Sequence, residues 1–287
     1  MATTSAVEPQ AIILEARDIG ERISPLAVWS WVFYDFANTI FSINVVSTYF
    51  PLLVKERGQN DAVYAYPMSA ALLFVALLMP VLGAMSDRNG RRMPWLISLT
   101  LLCIAMTGVM GLVSDLWLVI GAFVIASIGY QTALVFYDAL LPSVSTMLNW
   151  GKVSGLGVGL GYAGALAGLT AVTYLIGDNS SQEAFLPTAL LFLIFAIPCF
   201  LFVRDKRLNV DRKVSSDSIS WRGYATQLWR TLQDTRRVPG LFTFLVANFF
   251  YSDALNTVII AMSIYSTEVI GFDRPLTVLA PAIVAAV

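Results

Sequence analysis

The sequence predicts an all-α polytopic membrane protein. Hydrophobic residues make up 57% of the 287 and charged residues only 13%, against about 25% charged in ordinary soluble domains. Seven apolar runs recur along the chain, each near or above the roughly 20 residues a helix needs to cross hydrocarbon. None of them alternates polar and apolar residues, as a membrane-spanning strand would.

At the N-terminus, residues 1–26 mix Glu8, Glu15, Arg17, Asp18, Glu21 and Arg22 with short apolar pieces. They lack the basic, apolar and small-residue zones of a signal peptide, so a cytosolic tail is expected. Runs at 27–54, 62–85, 94–113, 116–138, 153–176 and 185–203 make a six-helix half, 27–203. The linker 204–238 opens with "RDKRLNVDRKVSSDS" and continues with "ISWRGYATQLWRTLQDTRR". In the second piece Trp221, Tyr224, Leu228 and Leu232 share one helical face beside Arg222 and Arg230. That pattern predicts a helix lying in the membrane interface, in preference to a soluble partner-binding helix. A seventh run, 239–266, begins a second half, 239–287. An eighth, "PLTVLAPAIVAAV", is too short to span, so the chain is expected to be a fragment that ends inside a helix.

Loop charge sets the orientation. Fifteen of the 18 Lys and Arg residues fall in the tail and the even-numbered loops, and only Lys55, Arg57 and Arg274 fall on the other side. The excess of positive charge puts the tail and the even loops in the cytoplasm.

Composition also excludes chemistry. There is no histidine, which removes His-based catalysis, metal ligation and proton relay. Cys103 and Cys199 lie in separate apolar runs and read as buried hydrophobes. No nucleophile–base pair or metal cluster is visible, so no enzyme activity, cofactor or metal is expected. A net charge of −1 offers nothing to nucleic acid.

The polar residues inside the spans are therefore the informative ones. Only three acidic residues lie there: Asp35, Asp138 and Asp253. Their settings repeat. The first span has Phe33-Tyr34-Asp35, the fourth Phe136-Tyr137-Asp138, and the seventh Phe250-Tyr251-Ser252-Asp253. Asp35, Asn38 and Thr39 also match Asp253, Asn256 and Thr257 at a constant offset of 218. Spans 1, 4 and 7 each open a three-helix unit, as in a chain of repeated bundles. Trp31, Asp35, Asn38, Ser42 and Tyr49 share about one face of span 1. Ser127, Gln131 and Asp138 share one of span 4, and Asn248, Ser252, Asn256 and Ser263 one of span 7, with Asp253 at its edge. A carboxylate at the bilayer centre costs about 2.5–3.5 kcal/mol on insertion scales, so these faces should line water, solute or other protein. Hydrogen bonding within the bundle alone is the competing reading. Span 5 adds the pairs Gly157/Gly161, Gly164/Gly168 and Gly155/Gly159, spacings that permit close helix approach.

Between spans 2 and 3 stands "GAMSDRNGRR", Gly83 to Arg92. It resembles the signature loop of the major facilitator superfamily. In this reading Gly83 lets the helix end pack closely, Gly90 permits a tight turn, and Asp87 pairs with Arg91 or Arg92. "WVFYDFANTIFS" in span 1 and "GKVSGLGVGLGYAGALAG" in span 5 resemble the vacuole-effluxer-like branch of that superfamily, which includes a fungal autophagy-related vacuolar amino-acid exporter. The resemblance implies the major-facilitator fold, represented here by the N-terminal half and the first one to two helices of the second. It implies alternating-access transport of a small polar solute such as an amino acid, with protons as an open choice of coupling ion. It also implies a conformational latch at Gly83, Asp87, Arg88, Gly90, Arg91 and Arg92. Asp35, Asn38, Asp253, Asn256, Gln131 and Asp138 are the candidate solute- or proton-binding residues. The expected partners are a solute, the lipid bilayer and the missing C-terminal half. The expected membrane is the inner membrane of a bacterium or the vacuolar membrane of a eukaryote. A transport-inactive sensor or scaffold and a drug or metabolite exporter are the alternatives.

Overall fold

In hydrocarbon every backbone N–H and C=O must be satisfied without water, and continuous apolar runs that lack the alternation of barrel strands do so as helices. The computed structural model describes residues 24–60, 62–89, 91–177, 179–205 and 240–271. It has one helix for each of the seven expected runs: α1 (Pro25–Glu56), α2 (Ala62–Asn89), α3 (Met93–Leu112), α4 (Leu116–Ala139), α5 (Trp150–Ile176), α6 (Phe185–Phe202) and α7 (Leu241–Tyr265). The first six are long and apolar enough to cross a membrane, and no strand occurs among the described residues. The cytosolic tail, the expected interfacial helix and the eighth run lie outside the described residues.

Local chemistry sets the helix ends. Proline stands in the first turn of α1 and α3, where its missing N–H is not needed. Asp115 caps α4 by accepting from the N–H groups of Trp117 (2.9 Å) and Leu118 (3.1 Å). Gly177 ends α5 at φ +57°, a conformation that side chains disfavour. Two caps come from other helices. Asp205, beyond α6, accepts from the N–H of Arg92 (2.9 Å) and of Met93 (3.0 Å) at the start of α3. Glu56, closing α1, accepts from Ser181 N (3.1 Å) and Ser181 Oγ (2.6 Å) in the turn leading into α6. Each puts a carboxylate at the positive end of a helix dipole.

The packed pairs reveal an internal symmetry. α1 lies on α5 and α6, α4 lies on α2 and α3, and α3 meets α6. Exchanging α1–α3 with α4–α6 maps these pairs onto one another, as two related three-helix units require. The central helix is α1, the most enclosed of the spans, while α2 is the least. α7 lies along the second half of α1, from Ser42 onward.

One feature of α1 has no counterpart in the sequence reading. It is α-helical over Pro25–Phe41 and Phe50–Glu56 but π-helical over Ser42–Tyr49. Side chains from that segment reach neighbouring helices. Asn44 Nδ2 donates to Gly168 O (3.4 Å) and Thr188 Oγ1 (3.1 Å), and the Tyr49 hydroxyl bonds Thr173 Oγ1 (2.8 Å). α7 also ends in a π-helical turn, Ser266–Ile270. Such turns recur at functional places in helices.

Candidate functional site

The repeated Tyr-Asp dipeptides of α1 and α4 meet. Tyr34 and Tyr137 stack with ring centroids 4.9 Å apart. Beneath them Trp31 and Tyr137 stack at 4.3 Å and 8°. Trp31 Nε1 donates to the carbonyl of Tyr137 and the Tyr137 hydroxyl donates to the carbonyl of Trp31, both at 3.2 Å. The Tyr34 hydroxyl bonds Thr100 Oγ1 of α3 at 2.7 Å. The preceding phenylalanines each meet an aromatic ring of another helix, Phe33 from an exposed position and Phe136 from a buried one. Phe33 stacks on Phe195 of α6, and Phe136 on Trp95 of α3. This aromatic clamp brings the two aspartates near enough for the charge of Asp138 to act on Asp35.

Asp35 is half-buried and laid against α5. A Cβ at Gly157 would stand 3.2 Å from Asp35 Oδ2, and one at Gly161 3.5 Å from it and 2.8 Å from Thr39 Oγ1. Glycine thus makes the wall beside the carboxylate. Thr39 Oγ1 bonds the backbone carbonyl of Asp35 (2.8 Å), but the carboxylate itself receives no hydrogen bond among the described residues. Asn38, one turn on, is buried with Oδ1 unpartnered. The Tyr130 hydroxyl lies beside Asn38 and Ser42 and within electrostatic reach of Asp35. On α4, Gln131 is half-buried and Asp138, one residue from the helix end, is exposed.

The expected stripe on span 1 is therefore mixed. Its ends, Trp31 and Tyr49, pack against α4 and α5, and Asp35 and Ser42 stay partly open. Of the three glycine pairs, Gly157/Gly161 and Gly164/Gly168 face α1. Nothing stands within 4 Å of a Cβ at Gly155 or Gly159, which corrects the expectation that this pair also serves close approach.

On α7, Asp253 is exposed and lines an open hollow of about 430 Å³ with Leu245, Asn248, Phe249 and Ser252. All its walls come from α7, so it does not merge with the surroundings of Asp35. The repeat is nevertheless literal in the backbone: Thr257 Oγ1 bonds the carbonyl of Asp253 at 2.8 Å, as Thr39 does that of Asp35 at 2.8 Å. The side chain of Asn256 lies outside the described residues.

The loop between α2 and α3 is tied into its own half. The Arg92 guanidinium donates to Ala139 O at the carbonyl end of α4, a favourable charge–dipole contact. Its backbone N–H is held by Asp205. Arg91 is exposed. A Cβ at Gly83 would meet nothing within 4 Å, so close helix packing, the role expected of this glycine, is not seen. Gly90 and the side chains of Asp87 and Arg88 lie outside the described residues.

Sequence reasoning missed a polar cluster at the opposite end of the bundle. Arg57 donates to Ser114 O (3.1 Å) and Gln182 Oε1 (2.8 Å). Gln182 Nε2 in turn donates to the carbonyls of Met110 (3.0 Å) and Val113. With Glu56 on Ser181, this joins the ends of α1 and α3 to the turn leading into α6. Its bonds join residues 57 to 125 positions apart, and only the adjacent charges Glu56 and Arg57 hinted at it.

No solved structure gives a significant match to the chain. Among curated proteins it is 30% identical over 272 residues to the uncharacterized MFS-type transporter YxiO of Bacillus subtilis, covering 87% of this chain and 62% of that protein. It is 27% identical over 245 residues to an uncharacterized protein of Aquifex aeolicus, covering 85% of this chain and 58% of the other. A shorter match, 32% over 117 residues, covers 37% of this chain and 19% of autophagy-related protein 22-1 of Aspergillus niger. The chain thus spans about three-fifths of the length of the two bacterial relatives. The sequence pattern of the Major Facilitator Superfamily runs through residues 29–287. With seven apolar helices, paired three-helix units and this match, the chain belongs to the Major Facilitator Superfamily.

Proposed function

We propose that this chain is the N-terminal half, with the start of the second half, of a secondary active transporter for a small polar solute, amino acids by preference. Its tail lies in the cytoplasm, and the six-helix half rocks against its partner half around a central site. The observation that carries the reading is Asp35. It is a half-buried carboxylate in the most enclosed helix, has no described hydrogen-bond donor and is held open by a glycine wall. A structural aspartate would be satisfied by its neighbours. This one is left for something that comes and goes. Asn38, Asp138 and Gln131 extend the same polar surface, and Asp253 with Asn256 are its counterparts on α7. The resemblance of spans 1 and 5 to the vacuole-effluxer-like branch supports the choice of amino acids. The loop at Gly83–Arg92 serves as the cytoplasmic latch, with Arg92 and Asp205 as the contacts that keep it seated on this half.

The test is solute counterflow by the full-length protein in proteoliposomes, with each of the twenty amino acids as labelled solute. Accelerated exchange of at least one is expected, and no exchange of any removes the amino-acid reading. An imposed pH gradient then tests proton coupling. The gradient should drive accumulation in the wild type and lose that effect in Asp35→Asn. Accumulation that ignores the gradient in both removes protons from the cycle.

A further inference from the structure

The carboxylate of Asp35 has no hydrogen-bond donor among the described residues, and the polar groups beside it, Tyr130, Asn38 and Ser42, are neutral. One side of its carboxylate rests on the α5 backbone at Gly157 and Gly161, where helical N–H groups are already engaged. Asn38 is 3% exposed, and its Oδ1 has no partner. Tyr130 lies beside the Asn38 side chain and within electrostatic reach of Asp35, and Asn38 follows Asp35 by one turn on α1. Asp138 contributes a second carboxylate from α4. No Lys or Arg lies within the seven apolar runs and histidine is absent; Lys55, Arg88 and Lys152 stand in the end turns of α1, α2 and α5. A solute bearing negative charge here would meet repulsion from Asp35 and Asp138, with only neutral groups beside them to offset it.

We infer that this place takes the ammonium group of the solute, with Asp35 as its counter-ion. A primary ammonium carries three N–H donors and a positive charge, the complement of a carboxylate that receives no described hydrogen bond. Charge-assisted bonds of that kind are short and strong. Asp138 adds attraction without contact. The inference rests on the transporter reading for the fate of the bound solute, but binding itself can be measured apart from flux.

The full-length protein in detergent is titrated with the amides of the amino acids and with their N-acetyl amides, binding being read from thermal stabilisation. The pairs share a side chain and differ in one positive charge. At least one amide should stabilise the protein, and its N-acetyl partner should bind at least tenfold more weakly. Asp35→Asn should weaken the amide at least tenfold, with Asp35→Glu recovering part of the loss. The ligand pairs on wild-type protein stand even if the variants fold poorly. The inference is overturned if no amide stabilises the protein, if acetylated and free forms bind alike, or if sodium or potassium chloride alone reproduces the stabilisation. Amine binding that depends on Asp35 without any counterflow would sink the transporter reading and leave this one. Counterflow unaffected by Asp35→Asn would do the reverse.

Discussion

The seam between α1 and α5 and the seam between α4 and α2 occupy equivalent places in the bundle, yet they are built differently. On α5 the inward positions are Gly157, Gly161, Gly164 and Gly168; on α2, at the same spacing, they are Ala71, Val75, Leu78 and Leu82. A Cβ at Gly164 would stand 2.6 Å from the backbone oxygen of Phe36, and one at Gly168 2.6 Å from Ile40 Cγ1. α1 is thus held nearly backbone to backbone, whereas α2 is held through side chains and shows Leu72, Leu73, Phe74 and Leu77 outward. In lipid there is no hydrophobic drive between helices, so closeness of packing does much of the holding. The helix that carries the candidate carboxylate has the tighter seat, as a binding group needs if it is to be held in one geometry.

The largest effect should come from breaking the tight seam. Gly164→Ala forces a methyl group onto a backbone carbonyl, which cannot rotate away. A loss of about 1–3 kcal/mol is expected from such overpacking, read as a lowered unfolding temperature of the purified full-length protein. An unchanged temperature would mean that α1 and α5 are not in backbone contact. A smaller effect should come from the opposite operation on the other seam. Val75→Ala removes two buried methyl groups from α2 and should cost about 1 kcal/mol, because the neighbouring side chains can partly close the gap. If Val75→Ala proved the costlier of the two, the contrast between the seams would be inverted.

The same seams show how far the residues alone could be read. Hydropathy located all seven helices, since a continuous apolar run without the alternation of a barrel strand satisfies its backbone in lipid as a helix. The Tyr-Asp repeat announced the symmetry that brings Tyr34 to Tyr137 and Asp35 toward Asp138. What spacing could not supply was which face of α5 has a neighbour. Gly155/Gly159 and Gly157/Gly161 have the same separation, and only the fold decides that the second pair meets α1. The π-helical stretch of α1 was equally illegible, because the partners of Asn44 are Gly168 and Thr188, on helices that local sequence cannot bring near. For the same reason the cluster of Glu56, Arg57 and Gln182 is a property of the assembled bundle and of no single segment.

The smallest effect is the sharpest check on the face assignment. Gly159 lies in the same helix as Gly157 and Gly161, two residues from each, and is exposed where they are buried. Alanine there meets nothing within 4 Å and trades the poorest ordinary helix former for the best, a change of about 1 kcal/mol in a helix interior exposed to water and less in lipid. Gly159→Ala should therefore leave the unfolding temperature unchanged or slightly raised, while Gly161→Ala, whose Cβ would stand 2.8 Å from Thr39 Oγ1, lowers it and weakens amine binding by displacing Asp35. The two substitutions are chemically identical and sit about half a turn apart, so helix propensity cancels between them. Whatever difference remains measures the contact with α1. Equal behaviour would leave the glycine wall beside Asp35 without support, and with it the reason this carboxylate is held open.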